Sequence, residues 1–266
     1  MELVAASKMR RAQEHALRTR DYHNLARQLL TRLREQTDVN KHPLYRQHKL
    51  TTRLHLLITS DQGLAGAYNS NLFKQFNVEL RDDKAKGIVS KVIAIGRQGS
   101  THVARLEDVE LIAAYDHFPE LPTANDIRPI LNTIVELFLD RQVDAVDIIY
   151  TDYKSSISQI VRSLRLLPAA WQAIEIEPDL EKATFEPSVQ AVLEGITLRL
   201  IEAQLNQAFS ESQASEQSMR MVAMKNATDN ANELIDDLTL AFNTARQAAI
   251  TQELAEITGG AEAISG

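Results

Sequence analysis

"SVQAVLEGITLRLIEAQLNQAFSESQASEQSMRMVAMKNATDNANELIDDLTLAFNTARQAAITQELAEI", residues 188–257, holds one glycine and no proline. Alternating steps of three and four along it meet Leu193, Ile196, Leu200, Ala203, Gln207, Ser210, Ala214, Gln217, Met221, Met224, Thr228, Ala231, Ile235, Leu238, Phe242, Ala245, Ala249 and Gln252. This is the spacing of a coiled-coil seam. Pro187, just before it, suits a first helical turn. A helix of that span is about 100 Å long at 1.5 Å per residue. Ordinary globular helices run three or four turns, so this one is expected to project beyond any globule that the chain can build. The seam turns polar at Gln207, Ser210 and Gln217 and apolar again towards the C-terminus.

The other end of the chain shows a thinner version of the same pattern. Ala5, Met9, Ala12, Ala16, Thr19, His23, Ala26, Leu30 and Leu33 fall on one seam, and no glycine or proline precedes Pro43. One helix from the start to about Asp38 is expected, with small residues that let a partner helix approach closely. Both terminal helices border the same central segment, so they are expected to pair antiparallel. The first covers only about half of the second. The uncovered part keeps an apolar stripe that invites aggregation in water, and another protein is expected to surround it.

Between the helices the period changes. "RLHLLIT", "KVIAIG" and "AVDIIYTDY" read as buried strands, and "SSISQIVRSLRLLP" as a further one. "NSNLFKQFNVEL" and "DIRPILNTIVELFLDRQ" read as helices, and "RQGSTHVARL" as a short one. Alternating strands and helices imply an α/β sheet covered on its faces. Residues 169–186, with Pro168, Pro178 and Pro187 in and around them, read as the connection back to the long helix. The expected organisation is an N-terminal coiled-coil helix over 1–45, an α/β domain over 46–187, the long helix over 188–258 and a tail over 259–266.

Composition narrows the chemistry. The chain has 266 residues and a net charge of -7, the opposite of the basic face that a general nucleic-acid binder needs. It has no cysteine, which excludes disulfides, thiolate catalysis and cysteine-bound metals. Its seven histidines are scattered, without metal-ligand spacing. No apolar run approaches the roughly 20 residues that cross a bilayer. The Arg-rich start has the look of a targeting segment, but its seam continues well past Arg20. Asn226-Ala227-Thr228 matches a glycosylation acceptor and lies mid-helix.

"LLITSDQGLAGAYN", residues 56–69, is the best candidate for a ligand loop. A strand feeds a glycine-bearing turn and a helix follows. A P-loop needs GxxxxGK[ST], yet Gly63 and Gly66 are followed by no lysine before Lys74. The dinucleotide pattern GxGxxG is absent too. "IGRQGS" could offer Arg97 and Ser100 to a phosphate, also without a fingerprint. The favoured reading is a structural corner. Asp61 and Gly63 make the turn, Gly66 allows close packing, and Asn69 or Ser70 caps the helix. The carboxylate pairs Asp82-Asp83 and Asp236-Asp237 read as solvated helix faces. Arg162 and Arg165 read as strand-edge charges, and Trp171 as core.

Three segments together carry a resemblance: "ELVAASKMRRAQ" (residues 2–13), "SDQGLAGAYNSNL" (60–72) and "SEQSMRMVAMKNATDNANELIDDL…NTARQAAITQELAEITGGA" (215–261). The chain resembles the gamma subunit of rotary ATP synthases, of bacterial type. The resemblance covers the whole chain and is weakest over 106–186. It implies a Rossmann-like α/β domain inserted between N- and C-terminal helices that form a long antiparallel coiled coil. It implies a non-catalytic rotor, without cofactor or metal, that couples proton flow through a c-ring to ATP synthesis or hydrolysis on other chains. The implied partners are the alpha, beta and epsilon subunits and the c-ring, one copy per complex, at the cytoplasmic side of the plasma membrane. Met1, Lys8, Arg220, Arg246, Gln247, Thr251 and Glu253 match the positions that contact alpha and beta subunits in that family. The family motif "KITKAMEMVAASK" extends beyond Met1, which aligns with the methionine of "KAM", so a misplaced start or a fragment is the expectation. Gln62 and Ala65 depart from residues common in relatives. A nucleotide-binding enzyme with coiled-coil arms and a plain coiled-coil tether are the rival readings.

Overall fold

A computed structural model describes residues 1–14, 28, 31–33, 42–120, 122–155, 158–169, 186 and 188–265. The chain divides into two compact units, Met1–Met221 and Val222–Gly266.

The first unit is built round a five-stranded sheet. Its strands are β1 (Thr52–Ile58), β2 (Val89–Ile95), β3 (Glu110–Tyr115), β4 (Ala145–Ser155) and β5 (Ser158–Leu167), in the order β3-β2-β1-β4-β5. The first four run parallel and β5 returns antiparallel to β4. Helices α2 (Tyr68–Ala85), α3 (Arg97–Val103) and α4 (Ala124–Leu139) lie between successive strands. Helix α1 covers residues 2–14, residues 28 and 31–33 are also helical, and a 3-10 turn spans Pro43–Tyr45.

The apolar run of β1 is explained by burial on both faces, as parallel sheets require. Leu54, Leu56 and Ile58 point to one face, where Ile127, Ile130 and Ile134 of α4 pack. The same cluster takes Ile201, Leu205 and Phe209 of the long helix α5 (Val189–Ser265). Leu57 points to the other face, with Tyr68, Leu72 and Phe76 of α2 and Val103 of α3. Thr123 starts α4 through a capping box, its backbone N–H and hydroxyl both donating to the Asp126 carboxylate.

The terminal helices of this unit run antiparallel. Leu33 is fully buried with Leu193 and Leu200 of α5. Met1, Val4 and Ala5, at the start of α1, instead line one cavity with Gln213, Glu216, Gln217 and Arg220, much further along α5. Ala5 and Ala12 are buried, so the alanine seam is used as its spacing predicts.

Several sequence-based expectations need correction. "ELIAAY" forms β3, an edge strand that pattern reading passes over, and "AVDIIYTDY" is therefore the fourth strand. The long helix does not stop at Ile257. It continues through Gly259 and Gly260 to Ser265. Helix α2 starts at Tyr68, after Ala67, with no side-chain cap. Ser70 Oγ bonds to Ala67 O, while Asn69 turns back into the preceding loop. Asp83 is not solvated: it is fully buried. Trp171, Ala16, Thr19, His23, Ala26, Leu30 and most of the expected connection over 169–186 lie outside the described residues.

The second unit is the remainder of α5. Its large apolar side chains Leu234, Ile235, Leu238, Leu240, Phe242, Ile250, Leu254 and Ile257 are half or more exposed. Asp236 and Asp237 are exposed as expected.

Candidate functional site

The corner after β1 is the first place to test for ligand chemistry. Asn69 accepts from Ser60 N at 3.1 Å and donates to Ser60 Oγ at 2.7 Å. Ser60 Oγ in turn donates to the Gln62 carbonyl at 2.7 Å. Asp61 accepts from Arg97 N and His117 N, both at 3.0 Å, and so ties the corner to the loops after β2 and β3. The turn is completed by Leu64 and Gly66 in left-handed conformations, φ +61° and +57°.

Phosphate binding needs converging N–H groups. This corner converges carbonyls instead. Arg220 of α5 donates to the Gln62 and Gly63 carbonyls at 3.3 and 3.5 Å and pairs with Glu216 at 2.6 Å. The loop therefore receives a cation. Burial, and secondarily the nearby Asp61 and Glu120 charges, push the Glu216 carboxyl up against the pull of Arg220.

The second glycine-bearing turn is also structural. Gly96 has φ +89°, and a Cβ there would stand 2.3 Å from the Thr59 carbonyl oxygen. Gly99 donates to Thr59 Oγ1 at 2.8 Å and leaves a Cβ no more room. The glycines hold β1 and β2 together at their carboxyl ends. Ser100, a candidate phosphate contact, donates to Arg97 O and Asp116.

In open α/β sheets ligands enter the crevice at the carboxyl ends of the strands, where the order reverses. Here the carboxyl ends of β1 and β2, one strand away from the β1–β4 reversal, border a cavity of about 340 Å³ lined by Ile58, Thr59 and Gly96 and by the chain's own terminal helices. Met1, Lys8 and Arg220, three of the residues marked by the family resemblance, meet in it. Lys8 pairs with Glu120, and Met1 is largely exposed. Beside the cavity, in the interior, Tyr68 OH meets Ser212 Oγ of α5 at 2.6 Å. Ser215 donates to Thr151 O of β4 at 3.2 Å. Burial and then the Glu216 charge keep the Tyr68 hydroxyl protonated far above the usual tyrosine range. Polar groups of α5 are thus keyed into the sheet.

The other marked residues, Arg246, Gln247, Thr251 and Glu253, are exposed on the second unit. Thr251 Oγ1 bonds to Gln247 O at 2.8 Å, which orients its hydroxyl along the helix. Glu216, Tyr68, Ser212 and the two turn carbonyls were not singled out by sequence. The one available signal was the i,i+4 spacing of Glu216 and Arg220.

A separate buried ion network lies on the α2 face of the sheet. His55 Nε2 is 3.0 Å from Asp83 Oδ2 and Nδ1 is 3.6 Å from Glu79. Arg53 bridges Asp83 and Asp147 at 3.4 and 3.2 Å, and Arg165 closes on Asp147. Arg162 pairs with Asp152 at 2.6 Å, in keeping with a strand-edge role. Among the described residues no group of three or more His, Asp or Glu side chains could hold a metal. No described helix is long and apolar enough to cross a membrane.

A family model described as ATP synthase matches residues 1–264. The ATP synthase gamma chain of Xylella fastidiosa (strain M12) is 35% identical over 265 residues, covering 99% of this chain and 92% of that one. The gamma chain of Stenotrophomonas maltophilia (strain R551-3) is 34% identical over the same shares. Among solved structures, a chain of the central stalk and c-ring of Tetrahymena thermophila mitochondrial ATP synthase superposes with a TM-score of 0.64 at 23% identity, covering 86% of this chain and 97% of that one. A chain of the Euglena gracilis mitochondrial enzyme gives 0.59 at 17% identity, with coverage of 99% and 94%. These likenesses confirm the fold. With the whole-length match to the family model and the two gamma chains, they lead to one conclusion: the chain belongs to the ATP synthase gamma family.

Proposed function

We propose that this protein is the central rotor shaft of an ATP synthase, coupling ion flow through a membrane-embedded c-ring to ATP synthesis or hydrolysis on other subunits. The observation that carries this reading is the second unit of α5. Ile235, Leu238, Phe242, Ile250 and Leu254 are exposed along one long helix, and such a face needs a protein around it. A ring of alpha and beta subunits fits that need. The α/β unit then meets the epsilon subunit and the c-ring, and the protein associates with the cytoplasmic face of a bacterial plasma membrane through the complex.

The chain itself carries no catalysis in this reading. Its best candidate loop turns carbonyls, not N–H groups, to its partner, and its strand-end crevice is lined by its own helices. Mechanically, a rotor biases otherwise equivalent catalytic sites only by making different contacts with each. Arg246, Gln247, Thr251 and Glu253 on the second unit, with Met1, Lys8 and Arg220 on the first, supply those contacts. Met1–Met221 carries the sheet, and Val222–Gly266 carries the exposed apolar stripe.

Replacing Gln247→Ala together with Thr251→Val in the assembled enzyme is expected to weaken coupling. ATP synthesis and ion pumping per ATP hydrolysed, measured in membrane vesicles, check this. Unchanged values for both would refute the assignment of these two residues.

A further inference from the structure

We infer that Glu216 and the Gln62–Gly63 turn form a socket that fixes the orientation of Arg220, and that both act on coupling through this arginine. The inference rests on the proposed contact of Arg220 with the surrounding subunits. Neither Glu216 nor the turn is asked to touch a partner; they are positioning groups.

Three observations support it. The first is the number of contacts that converge on one guanidinium. Glu216 takes Nη1 at 2.6 Å, and two carbonyls face Nη2 at 3.3 and 3.5 Å. These contacts engage three of the five N–H donors of an arginine, which fixes the plane of the fork. The second is the cost of the acid. Glu216 is 8% exposed, close to Asp61 and Glu120, and its carboxyl is pushed up by burial and by those neighbours. An i,i+4 pair that only supported the helix would gain as much in solvent. The third is the rigidity of the opposite wall. The Gln62 carbonyl is held by Ser60 Oγ, Ser60 by Asn69, and Asp61 by the N–H groups of Arg97 and His117. An arginine held between two fixed walls has already lost its rotamer freedom, so a partner that meets it has less to order. The corner that resembles a phosphate loop thereby acquires a role: it carries the orientation of the sheet to a side chain of the long helix.

The test uses the assembled complex in membrane vesicles, with ATP hydrolysis and ATP-driven ion pumping measured together. Arg220→Ala, Glu216→Gln and Asn69→Ala are made singly, and the last two are also combined with Arg220→Ala. Each single variant is expected to pump fewer ions per ATP hydrolysed. In the Arg220→Ala background neither second change is expected to lower the ratio further. Losses that add in that background would show that Glu216 and the turn act by another route, and would overturn the socket. Wild-type pumping by Glu216→Gln and Asn69→Ala beside an impaired Arg220→Ala would overturn it too, while leaving the role of Arg220 standing. Wild-type pumping by Arg220→Ala would remove the reading on which the socket rests, and the socket with it. Should Glu216→Gln prevent assembly, Asn69→Ala decides alone, since it loosens only the turn.

Discussion

Asp83 is a helix residue with no exposed surface, held by His55, Ser90 and Arg53. Burial would raise its pKa, but the hydrogen bond from His55, the Arg53 charge and the bond from Ser90 outweigh it and hold the carboxyl below the usual aspartate range. A depressed acid stabilises the fold above its unfolded value and loses that contribution as pH falls through its folded value. Asp83→Asn is therefore expected to destabilise the protein by about 3 kcal/mol near neutral pH, since it leaves Arg53 and His55 short of a buried partner. The gap from wild type should narrow as the pH drops below the carboxylate range. Denaturant unfolding at both pH values measures it. Gly96→Ala offers a steric counterpart. A methyl 2.3 Å from the Thr59 carbonyl, on a backbone at φ +89°, forces β1 and β2 apart at their ends. The expected loss is about 3 kcal/mol, against little change for Gly63→Ala, where nothing stands within 4 Å. Neither site was legible from the chain alone. "RDDKA" reads as surface until α2 is laid over β1, which brings Glu79 and Asp83 onto His55. The absence of a P-loop was legible, because it depends only on local spacing. The socket was not, because Arg220 and Gln62 are far apart in sequence.

Among the elements, the apolar central strands and the long helices announce themselves by period. β3 does not: "ELIAAY" is short, carries two alanines and lies half-buried at the sheet edge, where β-propensity is weak. The far end of α5 was misread for a different reason. Two adjacent glycines usually mark a helix stop, yet the helix runs on to Ser265. The apolar stripe of the second unit is exposed in the structure, and that exposure is the property that matters for partners. Leu238→Gln combined with Phe242→Gln is expected to change the stability of the isolated chain by less than about 0.5 kcal/mol, as exposed substitutions do. The same pair is expected to reduce recovery of the chain in a complex with alpha and beta subunits. Unfolding curves and co-purification separate the two effects.

For the molecule as a whole, the two units predict two tiers of backbone protection. Amides of β1, β2 and β4 sit in a sheet buried on both faces, whereas those of 222–261 belong to a helix with exposed side chains. Local opening costs little where few apolar contacts must be broken. Hydrogen exchange on the isolated chain is expected to be fast in the second unit and slow in the sheet; uniform protection would contradict the division. The pairing of Leu33 with Leu193 and Leu200 bears on how the protein is made. The first helix leaves the ribosome early, and its partner follows about 160 residues later. At synthesis rates of about 5–20 residues per second, that interval is on the order of 10 s. Throughout it the nascent helix must wait without a mate. A leucine-rich stripe would be captured by chaperones or by neighbouring chains, whereas a stripe of alanines such as Ala5 and Ala12 attracts them weakly. A thin seam, whose small residues let a partner helix approach closely, also leaves little on the first helix for other proteins to grip during synthesis.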